Sequence, residues 1–148
     1  MTAVPTLSER LELRYPIVCA PLFLISNVEM MVASARAGIL GGVPALNYRS
    51  HDEFRGALKD IRAQTDRAFA VNLIVHSQYN PRLEEDFEAC IEYEVPALIT
   101  AFGTPASLIE RAHEKGILVF HDAIKLKHAK KAAEAGVDAV IAVSGGAG

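Results

Sequence analysis

Ile17-Val18-Cys19-Ala20-Pro21-Leu22-Phe23-Leu24-Ile25-Ser26 reads as a short apolar strand followed by a turn that contains no glycine. A dinucleotide-binding open sheet carries G-x-G-x-x-G at its first strand-to-helix turn, because glycines let the backbone approach a pyrophosphate. The remainder of the chain allows two parallel-sheet folds, the open doubly wound sheet and the (β/α)8 barrel. The missing glycines favour the barrel.

Working outward from this turn, apolar runs recur at 17–20, 39–43, 69–75, 97–102, 117–120 and 137–143. Each is apolar nearly throughout rather than alternating, as expected of parallel strands covered on both faces. Between them lie helical stripes: Phe54, Leu58 and Ile61; Leu83, Phe87, Cys90 and Ile91; Leu126, Ala129 and Ala133. Ser50 with Glu53 reads as a capping box, while Asn80-Pro81 and Thr104-Pro105 each place a cap residue before a proline suited to a first helical turn. Gly38, Gly116 and Gly136 stand where helices should stop in a left-handed residue. The order is therefore β-α five times, then a sixth strand. A TIM-type barrel has eight strands in about 250 residues. About six parallel strands and five helices thus make residues 1–148 an incomplete N-terminal portion of one barrel domain, and a longer polypeptide is expected.

Half of the residues (51%) are apolar and 22% are charged, which excludes a disordered chain. A formal net charge of −3 and no basic stripe interleaved with aromatics argue against a nucleic-acid partner. The cluster Lys125, Lys127, Lys130 and Lys131 suits the solvated face of a helix. Cys19 and Cys90 make no disulfide framework, no basic-then-apolar leader opens the chain, and no apolar run is long enough for a bilayer. A cytoplasmic protein without a membrane segment is expected.

A ligand of either fold sits at the C-terminal strand ends. The polar residues falling there are Asn47, Asn72, His76, Thr104, His121, Asp122 and Ser144 with its glycines. Asn72 interrupts an apolar run, so it is either a satisfied core amide or a ligand contact. Ala70, Asn72, Ile74 and His76 alternate onto one face, which gives Asn72 and His76 a shared direction. His121 and Asp122 are adjacent and should point to opposite faces, so only one can face a pocket. No H-x-x-H, H-E-x-x-H or C-x-x-C spacing occurs, and no metal is expected. His113 and His128 fall in helical stretches. The G-x-S-x-G elbow and the G-x-x-x-x-G-K-[ST] loop are also absent. Cys19 lies in an apolar strand, which quiets a thiol and suits a structural role.

Taken together, three motifs resemble the FMN-dependent nitronate monooxygenases, formerly 2-nitropropane dioxygenases, which are close relatives of a flavin-containing enoyl-ACP reductase. Leu13-Arg14-Tyr15-Pro16-Ile17-Val18-Cys19-Ala20-Pro21-Leu22 is similar to the family's R-Y-P-I-x-x-A-P-M opening. Phe69-Ala70-Val71-Asn72-Leu73 is similar to F-G-V-N-L, and Ala135 to Val140 followed by Gly145 to Gly148 is similar to A-G-A-D-A-V and its glycine loop. The resemblance covers essentially the whole chain. It implies an FMN cradle with cofactor contacts at Ala20, Pro21, Leu22, Asn72, Asp122 and Gly148, and weaker substrate contacts at His76 and His121. It implies oxidation of an alkyl nitronate by O2 to a carbonyl compound and nitrite. The family's catalytic histidine is expected immediately after Gly148, so no catalytic residue is assigned within the chain. Leu22 replaces the usual methionine, and Asp122 stands where some members carry a lysine near the flavin, which reverses the local charge.

Three functions follow as expectations. The first is a nitronate monooxygenase whose N-terminal part, alone, binds FMN weakly or not at all and turns over no nitronate. The second keeps the scaffold and reduces an enoyl thioester. The third is a non-catalytic half-barrel that covers its open edges by self-association or with another chain. Fold alone cannot choose among them.

Overall fold

The computed structural model describes residues 5–103 and 106–145. A single helical turn, α1 (Leu7–Arg10), precedes six strands that alternate with helices. These are β1 (Val18–Cys19), α2 (Val28–Ala37), β2 (Leu40–Pro44), α3 (His51–Gln64), β3 (Phe69–Ile74), α4 (Leu83–Glu92), β4 (Ala97–Ala101), α5 (Ala106–Glu114), β5 (Leu118–Ala123), α6 (Leu126–Glu134) and β6 (Ala139–Ala142). Every neighbouring pair is parallel, and the strand order equals the chain order from β1 to β6. The sheet curls into an open arc, the first six strands of a (β/α) barrel. No described helix is long and apolar enough to cross a membrane.

Strand alternation sorts the core into two layers. Phe69, Val71, Leu73, Leu98 and Val119 point outward and pack with Phe54, Leu58, Ile61 and Phe87 of the helices. Leu40, Ala70, Ala97, Ile99, Leu118 and Phe120 point into the arc, where Leu11 joins them. Burying each large outer side chain stabilises the fold by about 1.5–3 kcal/mol, so most of the packing stability lies in the outer layer. The inner layer is built partly from alanines. It leaves room above itself.

Local chemistry explains the element ends. Gly38 closes α2 with φ +79°, and a Cβ there would also stand 2.6 Å from that of Arg14, so only glycine fits. Ser50 Oγ accepts from the Glu53 N–H at 3.1 Å, as its capping role requires. The return bond differs from the expectation, because Glu53 Oε2 accepts from Arg49 rather than from Ser50. The full reciprocal box occurs at Thr6 and Glu9, and it starts α1. Asn80 does not cap α4, which begins three residues later at Leu83. The buried Asn80 side chain instead accepts from Arg82 N–H and donates to the carbonyl of Ile74, tying off β3. Thr104-Pro105 lies outside the described residues. The expected stripe of α6 is rotated: Ala132 is buried, whereas Leu126 and Ala133 are exposed, because α6 packs through its Ala132 side onto β5 and β6.

Candidate functional site

Side chains that reach the C-terminal mouth of the arc come from the inward-facing register positions. Pro44 pairs with Asn72, Asn72 with Ile99, and Ile99 with Phe120, so these four lie at one level. One level higher Ile74 pairs with Ala101, and Asp122 pairs with Ile141. Asn72 is half-buried, and its Nδ2 donates to the carbonyl of Ile99 at 2.9 Å. The bond fixes the amide's orientation. Among the described residues nothing donates to Oδ1, which therefore remains an open acceptor. Asn72 is thus an inner-layer amide whose donor is engaged and whose acceptor is open.

The turn after β1 is clamped rather than loose. Asn47, in the 3-10 turn Ala45–Asn47, donates from Nδ2 to the carbonyls of Leu22 and Ser26 and accepts at Oδ1 from the Leu24 N–H at 2.8 Å. Ser26 Oγ accepts from the Leu22 N–H at 2.9 Å. Behind it, a Cβ on Gly42 would lie 3.0 Å from Pro21 Cδ and 3.3 Å from the Cys19 carbonyl. A bare glycine on β2 is what seats the Ala20-Pro21-Leu22 backbone against the sheet. Asn47 was visible in the sequence only as a polar residue at a strand end. Its clamp depends on a contact 21 to 25 residues away, which no local pattern announces.

Around this mouth stand exposed apolar side chains: Leu22, Phe23, Leu24 and Ile25 after β1, Tyr79 after β3, Phe102 after β4 and Ile124 after β5. Tyr79 packs between His76 and Phe102, with ring centroids 5.1 and 5.8 Å away. Leu24 and Phe102 hold left-handed backbone conformations at φ +61° and +56°. Such strain in bulky residues gathers at working sites.

His76 does not share the inward face with Asn72, because β3 ends at Ile74. It is an exposed loop residue whose Nδ1 accepts from the Gln78 N–H. His121 and Asp122 lie within β5 and point to opposite sides, as adjacent strand residues must. The His121 ring is buried on the helix side, with Nδ1 2.8 Å from Thr100 Oγ1. Burial, then the neighbouring His128, pushes the ring's pKa down, against a Gly103 carbonyl that raises it. Asp122 takes the inward face and makes no hydrogen bond or ion pair among the described residues. Burial pushes its carboxyl pKa up. A cavity of ≈ 570 Å³ lies at the C-terminal rim between the end of β4, β5 and α6, lined by Asp122 and Phe102 and, from the helix side, by His121, His128, Lys131 and Ala132. Cys90 is fully buried and its thiol pKa is pushed well up, so it is inert. No group of three metal-binding side chains occurs among the described residues, and Gly148 lies outside them.

In a parallel (β/α) barrel fold a small-molecule site lies at the strand C-termini, the end at which these apolar side chains are exposed. The chain belongs to the nitronate monooxygenase family, whose model matches residues 5–148. It is 30% identical over 142 residues to the (3aS,4S,5R,7aS)-5-hydroxy-7a-methyl-1-oxo-octahydro-1H-indene-4-carboxyl-CoA dehydrogenase of Mycobacterium tuberculosis, covering 96% of this chain and 39% of that protein. It is 29% identical over 165 residues to the nitronate monooxygenase of Paraburkholderia phytofirmans, covering 86% and 44%. Among solved structures, Thermotoga maritima FabK superposes with a TM-score of 0.83 at 29% identity, over 95% of this chain and 44% of that one. The chain therefore spans about two fifths of the length of these relatives.

Proposed function

We propose that the protein containing this chain is an FMN-dependent oxidoreductase of the nitronate monooxygenase type, oxidising alkyl nitronates with O2 to carbonyl compounds and nitrite. One observation carries the reading: an open amide acceptor, Asn72 Oδ1, stands on an apolar inner layer that includes Ala70 and Ala97, beneath a rim of exposed apolar side chains. These features fit the planar, largely apolar ring of a flavin with its polar imide edge. When bound, FMN would supply the redox chemistry. The chain's own contribution is to hold and shield. The Ala20-Pro21-Leu22 backbone, fixed by Asn47 and Ser26, would form one wall, and Asn72 Oδ1 would be the acceptor that holds the ring. Leu22 to Ile25, Tyr79 and Phe102 exclude water from the reacting face. The described residues offer a cradle for the ring rather than for the phosphate. The protein acts in this reading as a cytoplasmic enzyme on a small substrate.

A second reading, flavin-dependent oxidoreduction of an acyl thioester, is favoured by the carboxyl-CoA dehydrogenase as a relative. Purification of the full-length protein tests both. Stoichiometric FMN with nitrite released from propane-2-nitronate supports the first. FMN with turnover of CoA thioesters but not nitronates supports the second, and absence of bound flavin overturns both.

A further inference from the structure

We propose that Asp122 reads the charge of the substrate: protonated, it donates a hydrogen bond to an anionic substrate oxygen, and ionised, it excludes the anion while admitting uncharged substrates. The assignment rests on the flavin-site reading above and adds to it a rule for which substrates enter, and when.

The placement comes from the sheet. Phe120 belongs to the inner layer, so Asp122, two residues on, shares its face and stands at the C-terminal mouth. Its register neighbour on β6 is Ile141, and Ala101 of β4 lines the same cavity. The carboxyl group is half-buried and makes no hydrogen bond or ion pair among the described residues, so its oxygens are open to solvent and to what enters the cavity.

The surrounding charges do not cancel it. On β5 the His121 ring turns to the other side of the sheet and engages Thr100, and it borders the cavity from that side without a bond to Asp122. On α6, His128 and Lys131 line the cavity, but neither forms an ion pair with Asp122. The β4 end contributes Ala101, Phe102 and Gly103, and β6 with its following residue contributes Ile141 and Val143, none of them titratable. Burial favours the protonated acid, which extends the pH range in which it can donate. An anion therefore binds together with a proton. Above the titration of Asp122 the anion's affinity should fall about tenfold per pH unit, because each unit removes nine tenths of the binding-competent form. An uncharged substrate has no such linkage.

The test uses the full-length, FMN-loaded protein and its Asp122→Asn and Asp122→Glu forms. Nitrate, a planar anion with the nitronate's oxygen geometry, is titrated by calorimetry across pH 5 to 9. Initial rates with propane-2-nitronate and with neutral 2-nitropropane are followed in parallel. In the wild-type protein nitrate affinity and nitronate kcat/KM should fall with rising pH, with proton uptake on nitrate binding. Asp122→Asn should flatten both profiles and bind nitrate at least tenfold more tightly at pH 9, while Asp122→Glu should restore the slope. His128→Gln should leave the slope in place, which separates Asp122 from the nearest imidazole on α6. Parallel slopes in wild-type and Asp122→Asn proteins overturn the assignment alone. Protein that carries no FMN overturns the flavin reading and the assignment with it.

Discussion

The two ends of the arc are built on opposite rules. At the N-terminal strand ends, Asp138 accepts from Arg10 Nη1 at 2.8 Å and from the Val119 N–H at 2.9 Å, and lies 2.8 Å from His113 Nε2. Arg62 donates to the carbonyls of Tyr93 and Glu94 while its guanidinium covers Phe69, and Leu11 plugs the inner layer from below. At the C-terminal ends, Phe23, Leu24, Ile25 and Phe102 face solvent, the most exposed being Leu24, whereas left-handed non-glycine residues occur at both ends: Leu24 and Phe102 here, Glu12 and Glu94 at the other. The N-terminal end is knit by these bonds around a polar cavity of ≈ 540 Å³. The C-terminal end carries the open acceptor of the proposed ligand site.

Mutations at the two ends should therefore separate stability from binding. Leu11→Ala, at the closed end, should produce the largest loss of stability, about 3 kcal/mol from lost burial and the resulting cavity. Urea unfolding followed by circular dichroism would show it, and a loss below about 1 kcal/mol would remove Leu11 as the plug. Asp138→Ala should cost about 2 kcal/mol, since two of its partners are partly exposed while the Val119 N–H is left without its acceptor. Burial alone would raise the Asp138 pKa, but the bonds from Val119, His113 and Arg10 together lower it. A lowered folded-state value gives stability that is complete above the unfolded carboxylate's pKa of about 3.9 and lost as pH falls through the folded value. The wild type should accordingly lose an acid-side increment that Asp138→Ala never has.

At the open end the order reverses. Asn47→Ala should cost about 1 kcal/mol of stability yet weaken FMN binding of the full-length protein by roughly tenfold, because the turn after β1 loses its clamp. Equal proportional losses in both would show that the two ends do not differ. Phe102→Gly makes the sharpest contrast: relief of the left-handed strain should raise stability by up to about 1 kcal/mol, while ligand affinity declines with the lost ring. A destabilised Phe102→Gly protein would mean that this ring packs as core and not as rim.

Strands and helix stops were legible because their signals are local. Apolar runs and the glycines at 38, 116 and 136 act within one element, and the structure forms a strand in each run and a positive φ at each glycine, but β1 and β6, at the edges of the sheet, are not covered on both faces. The candidate site was legible in part. Asn72 announced itself as a polar residue within an apolar strand, whereas the end of β3 at Ile74, which leaves His76 in a loop against Tyr79, could not be seen from alternation alone. The α6 stripe failed similarly, since a short alanine-rich helix permits more than one buried face until its partner strands select it. Asn47 and Asp138 act through partners distant in the chain, so nothing near them marks their roles.

By itself the sequence determined a parallel β/α repeat, the absence of a phosphate-binding first turn, and the family, because apolar periodicity, glycine placement and short motifs are properties of neighbouring residues. Only the tertiary structure decided which face each strand residue presents, that Asn47 clamps the first turn, and that Asp122 rather than His121 faces the arc. Those facts depend on register and curvature, which arise only when segments far apart in the chain compete for the same interior.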